Sequence, residues 1–172
     1  EDSNTLRVEK DTGQEFVSFK YCIIAVGSKP AMPAAFDLGN KRIMTSKDAL
    51  DIEDIPEKLL IVGGGYIGME LGMVYSALGS KITVIEAMGT ILAGADSDIV
   101  RPVLNQAKKR FKDILLNTKV KKMATKGKQI QVDYLSNNES KSELFDKVLV
   151  SVGRSPNSEN IGLENTKIDL DS

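Results

Sequence analysis

The chain has 172 residues, 41% of them hydrophobic and 27% charged, enough for one good core or for one domain plus pieces of another. Its formal net charge of -1 gives no field that attracts nucleic acid or an anionic membrane, and no apolar run is long enough to cross a bilayer. A single cysteine, Cys22, excludes an internal disulfide and fits a reducing cytoplasm; the lack of histidine removes the commonest general base and metal ligand, so no metal site is expected.

Two short alternating stretches open the chain. Thr5–Glu9 and Glu15–Phe19 flank the turn signal Asp11-Thr12-Gly13 and read as a pair of strands. Tyr21–Val26 is continuously apolar, as a strand buried on both faces would be. Pro30 and Pro33 then forbid continuation in a sheet, and a domain crossing is expected near residues 28–40.

The middle alternates β and α patterns. Leu59–Val62 reads as a strand, Gly63–Gly65 as a turn, and Tyr66–Leu78 as a helix with Ile67, Leu71, Val74 and Leu78 on one face and Gly79 as its stop. Lys81–Glu86 is the next strand, and a helix from about Asp98 to Arg110 follows with Asp96 or Ser97 as cap. Ile114–Met123 and Gln129–Leu135 read as a hairpin around Lys126-Gly127-Lys128, and Lys147–Val152 as a last buried strand. The pattern is α/β, a Rossmann-like domain with a parallel sheet and an added β-hairpin or meander. Lys108-Lys109-Arg110 and Lys121-Lys122 lack interleaved aromatics and read as solvated faces, while Met69 and Met73 read as core.

The chemistry concentrates at Gly63-Gly64-Gly65-Tyr66-Ile67-Gly68, which fits G-x-G-x-x-G between a strand and a helix. Gly63 allows the tight turn, Gly65 lets a pyrophosphate reach the backbone, and Gly68 lets the helix pack closely on the strand. The helix N-terminus then offers free N–H groups and the positive end of its dipole to the phosphates. Glu86 ends the following strand, where a carboxylate accepts hydrogen bonds from a ribose diol and repels a 2′-phosphate. No arginine stands in Ala87-Met88-Gly89-Thr90 to reverse that preference, so NAD is expected over NADP.

These residues also form a series. Ile23-Ile24-Ala25-Val26-Gly27-Ser28-Lys29-Pro30, Ser46-Lys47-Asp48-Ala49-Leu50 and Ile61 through Gly72 follow one another, then Asn117-Thr118-Lys119-Val120 and Val152-Gly153-Arg154-Ser155-Pro156-Asn157. The series resembles the flavin-dependent pyridine nucleotide–disulfide oxidoreductases over essentially the whole chain, and within them the dihydrolipoyl dehydrogenase branch. The resemblance implies a homodimeric flavoenzyme that uses FAD and a redox disulfide to oxidise protein-bound dihydrolipoamide and reduce NAD. Its partner would be the lipoyl domain of a 2-oxoacid dehydrogenase or glycine cleavage complex. It further implies that residues 1–36 are the last strands of a first flavin-domain segment, 37–152 the NAD-binding domain, and 153–172 the return toward the flavin domain.

Carried over by position, Gly63 to Glu70 would line the NAD pyrophosphate and nicotinamide region, Glu86 would hold the ribose, Val120 would touch the adenine, and Gly153 would approach the nicotinamide. Glu70 matches a glutamate that pairs with a lysine beside the flavin, against the plainer reading of a helix-surface acid. Tyr66 matches a side chain that screens the flavin until NAD enters, against simple packing. Gly27 and Ser28 match a turn that contacts FAD. The redox cysteine pair and the catalytic histidine of the family fall outside these residues, so the chain is expected to be a central portion that binds NAD without turnover. Cys22, in an apolar stretch and unpaired, is expected to be buried packing. Mercuric reductases, NADH oxidases and coenzyme A-disulfide reductases remain open alternatives, as does a non-enzymatic NAD-sensing module. Glutathione reductase fits less well, because alanine near Gly68 and arginines near residue 87 are missing.

Overall fold

Leu59, Leu60 and Ile61 are wholly buried because the strand they form, β5 (Lys58–Val62), is the middle of a five-stranded sheet covered on both faces. A computed structural model describes residues 4–171 and divides them into two compact units, Pro30–Gly153 and a smaller one of residues 4–29 with 154–171. In chain order the strands are β1 (Thr5–Lys10), β2 (Gly13–Ser18), β3 (Ser28–Pro30), β4 (Ile43–Met44), β5, β6 (Lys81–Ile85), β7 (Asp113–Leu115), β8 (Thr118–Lys126), β9 (Gln129–Ser136), β10 (Glu139–Phe145), β11 (Lys147–Val150) and β12 (Arg154–Pro156). The helices are α1 (Ser46–Leu50), α2 (Tyr66–Ala77) and α3 (Ser97–Arg110).

In the larger unit the order β4-β11-β5-β6-β7 is parallel throughout. Side chains alternate between two cores. Leu59, Ile61, Ile82, Val84 and Leu149 meet Met69, Leu71 and Tyr75 of α2 and Val100 and Ala107 of α3. Leu60, Val62, Ile85, Val148 and Val150 instead meet Met123, Ile130, Val132, Tyr134 and Phe145 of the antiparallel sheet β10-β9-β8. The architecture is thus three layers of helices, parallel sheet and antiparallel meander, an α/β fold of the expected Rossmann-like kind.

Capping and local bonds fix the ends. Thr45 caps α1 and Asp48 answers it, a reciprocal capping box. Hydrogen bonds from the Thr45 hydroxyl and backbone N–H hold the Asp48 carboxyl below its ordinary range. Tyr75 donates its hydroxyl to the Ala49 carbonyl at 2.8 Å and ties α1 to α2, and burial with the nearby Asp54 charge pushes that hydroxyl's pKa up. Gly79 stops α2 at φ +105°, a conformation open to glycine.

Several sequence expectations change form. The stretch read as one strand from Ile114 to Met123 divides: β7 joins the parallel sheet and β8 begins the antiparallel one. The buried residues of α2 are Gly68, Met69, Leu71, Gly72 and Tyr75, while Val74 and Leu78 are exposed, because the helix is apolar on most sides and periodicity alone does not choose among them. Strands β3, β4, β10 and β12 and helix α1 are additional; β4 is two residues long, β3 and β12 three each, and β10 is largely polar and exposed. Contrary to the expectation that the prolines end sheet pairing, Pro30 closes β3 in a two-stranded sheet with β12, where an edge position tolerates a residue without an N–H. The larger unit takes in residues 30–36, ahead of the expected boundary at residue 37, since Met32 and Phe36 pack against its meander-side core.

In the smaller unit β1 and β2 form the expected hairpin, with Thr5 opposite Ser18, and β3 pairs with β12. Tyr21–Val26 is not a buried strand. Tyr21 and Ile23 are 85% and 92% exposed, and Cys22 is exposed rather than packed. A strand buried on both faces needs strands on both edges and layers above and below, and residues 4–171 supply none to this run. The run instead lines an open groove with Ile161 and Ile168.

Candidate functional site

The glycine turn lies where β5 passes into α2, at the carboxyl end of the parallel sheet. Gly63 donates its N–H to Ile85 and adopts φ +107°, and a Cβ there would stand 2.3 Å from the Ser151 carbonyl oxygen. Both conformation and space therefore demand glycine. At Gly68 a Cβ would stand 2.1 Å from the Gly63 carbonyl oxygen and 2.7 Å from Ser151 Oγ, which is why α2 can start so close to the strand. At Gly65, the residue preceding α2, a Cβ would meet nothing within 4 Å, so the backbone there faces open space.

The N–H groups of Gly65, Tyr66, Ile67 and Gly68 have no hydrogen-bond partner among the described residues; the first intrahelical bond runs from Met69 N–H to Gly65. Unpaired donors and the helix dipole make this end an anion site in chemical terms. The cradle is backbone, shaped by the absence of side chains at Gly63, Gly65 and Gly68, and it fits a pyrophosphate.

Glu86 is half-buried one residue past β6. One carboxylate oxygen accepts the Gly64 N–H at 2.6 Å and the other accepts the Met88 N–H at 2.7 Å. Its backbone is held too: its N–H donates to Leu115 and its carbonyl accepts from Thr118, both at 2.9 Å. Glu86 thus stands at the joint where the chain leaves β7 for β8. Ala87 to Thr90 are exposed and uncharged, leaving no cation beside the carboxylate in that segment.

The other expected residues divide into two groups. Ile67 is half-buried and packs against the helix-side core, Tyr66 is exposed at the start of α2, and Glu70 is exposed one turn later. Val120 is half-buried on β8 against the meander-side core, beside a bulge between Val120 and Lys122. Gly153 closes the larger unit at φ +142°, its carbonyl accepting the Ala31 N–H at 3.0 Å. Gly27 and Ser28 belong to the smaller unit. There Asn157 donates to the Gly27 and Val26 carbonyls, and Arg154 donates to the Ser28 hydroxyl and carbonyl at 2.7 and 2.6 Å.

Three contributors lie outside the sequence expectation. Ser151, just past β11, places its hydroxyl 3.1 Å from both the Val62 and Gly63 carbonyls and packs into the space that glycine leaves. Ile91 is fully buried against Gly64, and Leu92 donates its N–H to the Gly64 carbonyl at 2.8 Å from a positive φ of 52°. Ser151 needs the β5–β11 pairing to be known before its role is visible. Leu92 carries no local signal, since leucine seldom adopts a left-handed conformation.

With this geometry the chain matches, over residues 1–172, the family model described as pyridine nucleotide-disulphide oxidoreductase. It is 37% identical over 98% of its length to a dihydrolipoyl dehydrogenase from Geobacillus stearothermophilus and 36% identical over 99% to one from Haloferax volcanii. It spans 36% and 37% of those proteins. Its fold superposes with a TM-score of 0.85 on the HOCl-induced flavoprotein disulfide reductase RclA from Escherichia coli, solved as a Cu(II) complex. That match has 27% identity and covers 99% of this chain and 38% of the other.

Proposed function

Because this chain belongs to the pyridine nucleotide-disulphide oxidoreductases, we propose that its larger unit is the NAD-binding portion of a dihydrolipoyl dehydrogenase. The observation that carries the reading is the pairing of two features: four unpartnered N–H groups at Gly65 to Gly68, and the Glu86 carboxylate fixed beside them on the Gly64 N–H. The first set suits a pyrophosphate and the second a ribose diol. The same carboxylate disfavours a 2′-phosphate, so NAD is preferred to NADP.

NAD and FAD, when bound, supply the hydride chemistry. The chain's own residues bind and orient. Gly65 to Gly68 would donate backbone hydrogen bonds to the phosphates, Glu86 would hold the ribose, Val120 would flank the adenine, and Gly153 and Tyr66 would border the nicotinamide, with Glu70 supporting the flavin side. Gly27 and Ser28 would contact FAD. In the same reading the whole protein is a cytoplasmic homodimer that acts on the lipoyl domain of a 2-oxoacid dehydrogenase or glycine cleavage complex.

Calorimetric titration of the intact protein, its flavin reduced beforehand so that no hydride is transferred, with NADH and NADPH tests the proposal. Tighter binding of NADH supports it, and a folded protein that binds neither overturns it. The 172-residue chain alone, with its single cysteine, is expected to lack turnover. Lipoamide-dependent NADH formation by that purified chain would refute this expectation.

A further inference from the structure

We propose that the segment Ile91-Leu92 is a clasp on the glycine turn that sets how Glu86 reads the nucleotide, making these two residues positioning residues for cofactor choice. The inference rests on the NAD-binding reading and adds the group that holds the ribose carboxylate in place.

The argument starts at Gly64. Both of its backbone polar groups are engaged: its N–H by Glu86 Oε2 at 2.6 Å and its carbonyl by the Leu92 N–H at 2.8 Å. The space beside its Cα is also taken. A Cβ built there would meet Ile91 Cγ2 at 3.1 Å and Glu86 Oε2 at 3.2 Å. Gly64 is therefore gripped at both ends and wedged between the Glu86 carboxylate and the fully buried Ile91.

The loop is built to reach it. Leu92 adopts φ +52° and Gly94 φ +100°, the Leu92 carbonyl accepts the Ala95 N–H at 3.0 Å, and Asp96 then stands at the N-cap position of α3. A leucine in the left-handed region is strained, and persists only where its surroundings fix it. Here the fixing contacts are the Gly64 carbonyl and the helix-side core, against which Leu92 packs. If the clasp loosens, the Gly64 peptide is free to turn, and Glu86 loses the donor that aims one of its oxygens. Its charge would remain while its placement beside the ribose would not.

The test uses the intact protein, its flavin reduced beforehand, with three substitutions, calorimetric Kd values for NADH and NADPH, and thermal unfolding as a check on folding. Leu92→Val puts a β-branched side chain where φ is positive and is expected to weaken NADH about tenfold while changing NADPH little, so that the preference shrinks. Ile91→Ala, which removes the wedge, should shift the preference in the same direction. Leu92→Gly keeps the N–H and fits the positive φ, and should bind NADH more tightly than Leu92→Val does. A merely structural role would lower the melting temperature and scale both nucleotides alike. Wild type that prefers NADH while Leu92→Val and Ile91→Ala leave the ratio untouched overturns the clasp alone. Wild type that binds neither nucleotide overturns both the clasp and the reading beneath it.

Discussion

Glu86 and Gly64, 22 positions apart in sequence, share a hydrogen bond of 2.6 Å in which a half-buried carboxylate accepts a backbone N–H of the glycine turn. The carboxylate therefore has an architectural partner and a proposed ligand. Substitutions separate the two. Glu86→Gln retains an acceptor for Gly64 but loses the charge, and should bind NADH and NADPH with similar affinity. Glu86→Ala loses both, and should weaken NADH by about 1.5–3 kcal/mol, the usual worth of a charge-assisted hydrogen bond. Calorimetry checks both. Undiminished preference for NADH in Glu86→Gln would contradict the assignment.

Gly68 has no room for a methyl group, with the Gly63 carbonyl oxygen 2.1 Å from the position a Cβ would take. Both neighbours there are backbone or tightly held, so the helix must move. Gly68→Ala should cost about 1–3 kcal/mol in urea unfolding and shift α2 away from β5. Gly65→Ala, which meets nothing within 4 Å, should leave stability nearly unchanged while obstructing a nucleotide. Equal stability losses at the two positions would count against this account of the turn.

Thr83 is buried in β6 and its hydroxyl has no hydrogen-bond partner among the described residues. Replacing it with the near-isosteric Val removes an unsatisfied polar atom. The unfolding free energy of Thr83→Val should rise by about 1 kcal/mol. A loss of stability would mean that the hydroxyl does have a partner.

Acid should weaken the larger unit through Asp146 and Asp48. Burial alone would push the Asp146 carboxyl up. Hydrogen bonds from the Gln129 amide and the Lys58 N–H, with the charges of Lys58 and Arg42, outweigh it and hold the group below its ordinary range. A carboxyl lowered on folding stabilises the fold above its unfolded pKa of about 3.9, and that contribution is lost as pH falls through the lower, folded value. Stability should therefore drop steeply below about pH 4, and Asp146→Asn should flatten the drop. An unaltered slope in acid titration of that variant would rule out the linkage.

How much of this was readable in advance depended on how local each signal was. The glycine turn and Glu86 were legible because each residue type answers a short-range demand: φ +107° at Gly63, missing side-chain space at Gly68, a strand end at Glu86. The meander layer was half legible. The turn at Lys126-Gly127-Lys128 announced the β8–β9 hairpin, but β10 is polar and mostly exposed and carries no apolar alternation. Tyr21–Val26 misled for the opposite reason: an apolar run records the neighbours a segment requires, and residues 4–171 do not provide them. Ser151 and Leu92 were invisible since each acts on a residue far away in sequence, and only the parallel pairing of β5 with β11 and the return of the loop after β6 bring them to the turn.

The joint at residues 116–117 has a consequence for length variation. Glu86 is bonded on one side to Leu115, the last residue of β7, and on the other to Thr118, the first of β8, so the two residues between them are a spacer of fixed size. One residue more or fewer would pull a backbone bond away from Glu86. Among the described residues, the hairpin tips at Lys126-Gly127-Lys128 and Asn137-Asn138 carry no such backbone tether. A peptide tag spliced into either tip should leave nucleotide affinity intact, while a single alanine inserted between Leu116 and Asn117 should abolish it.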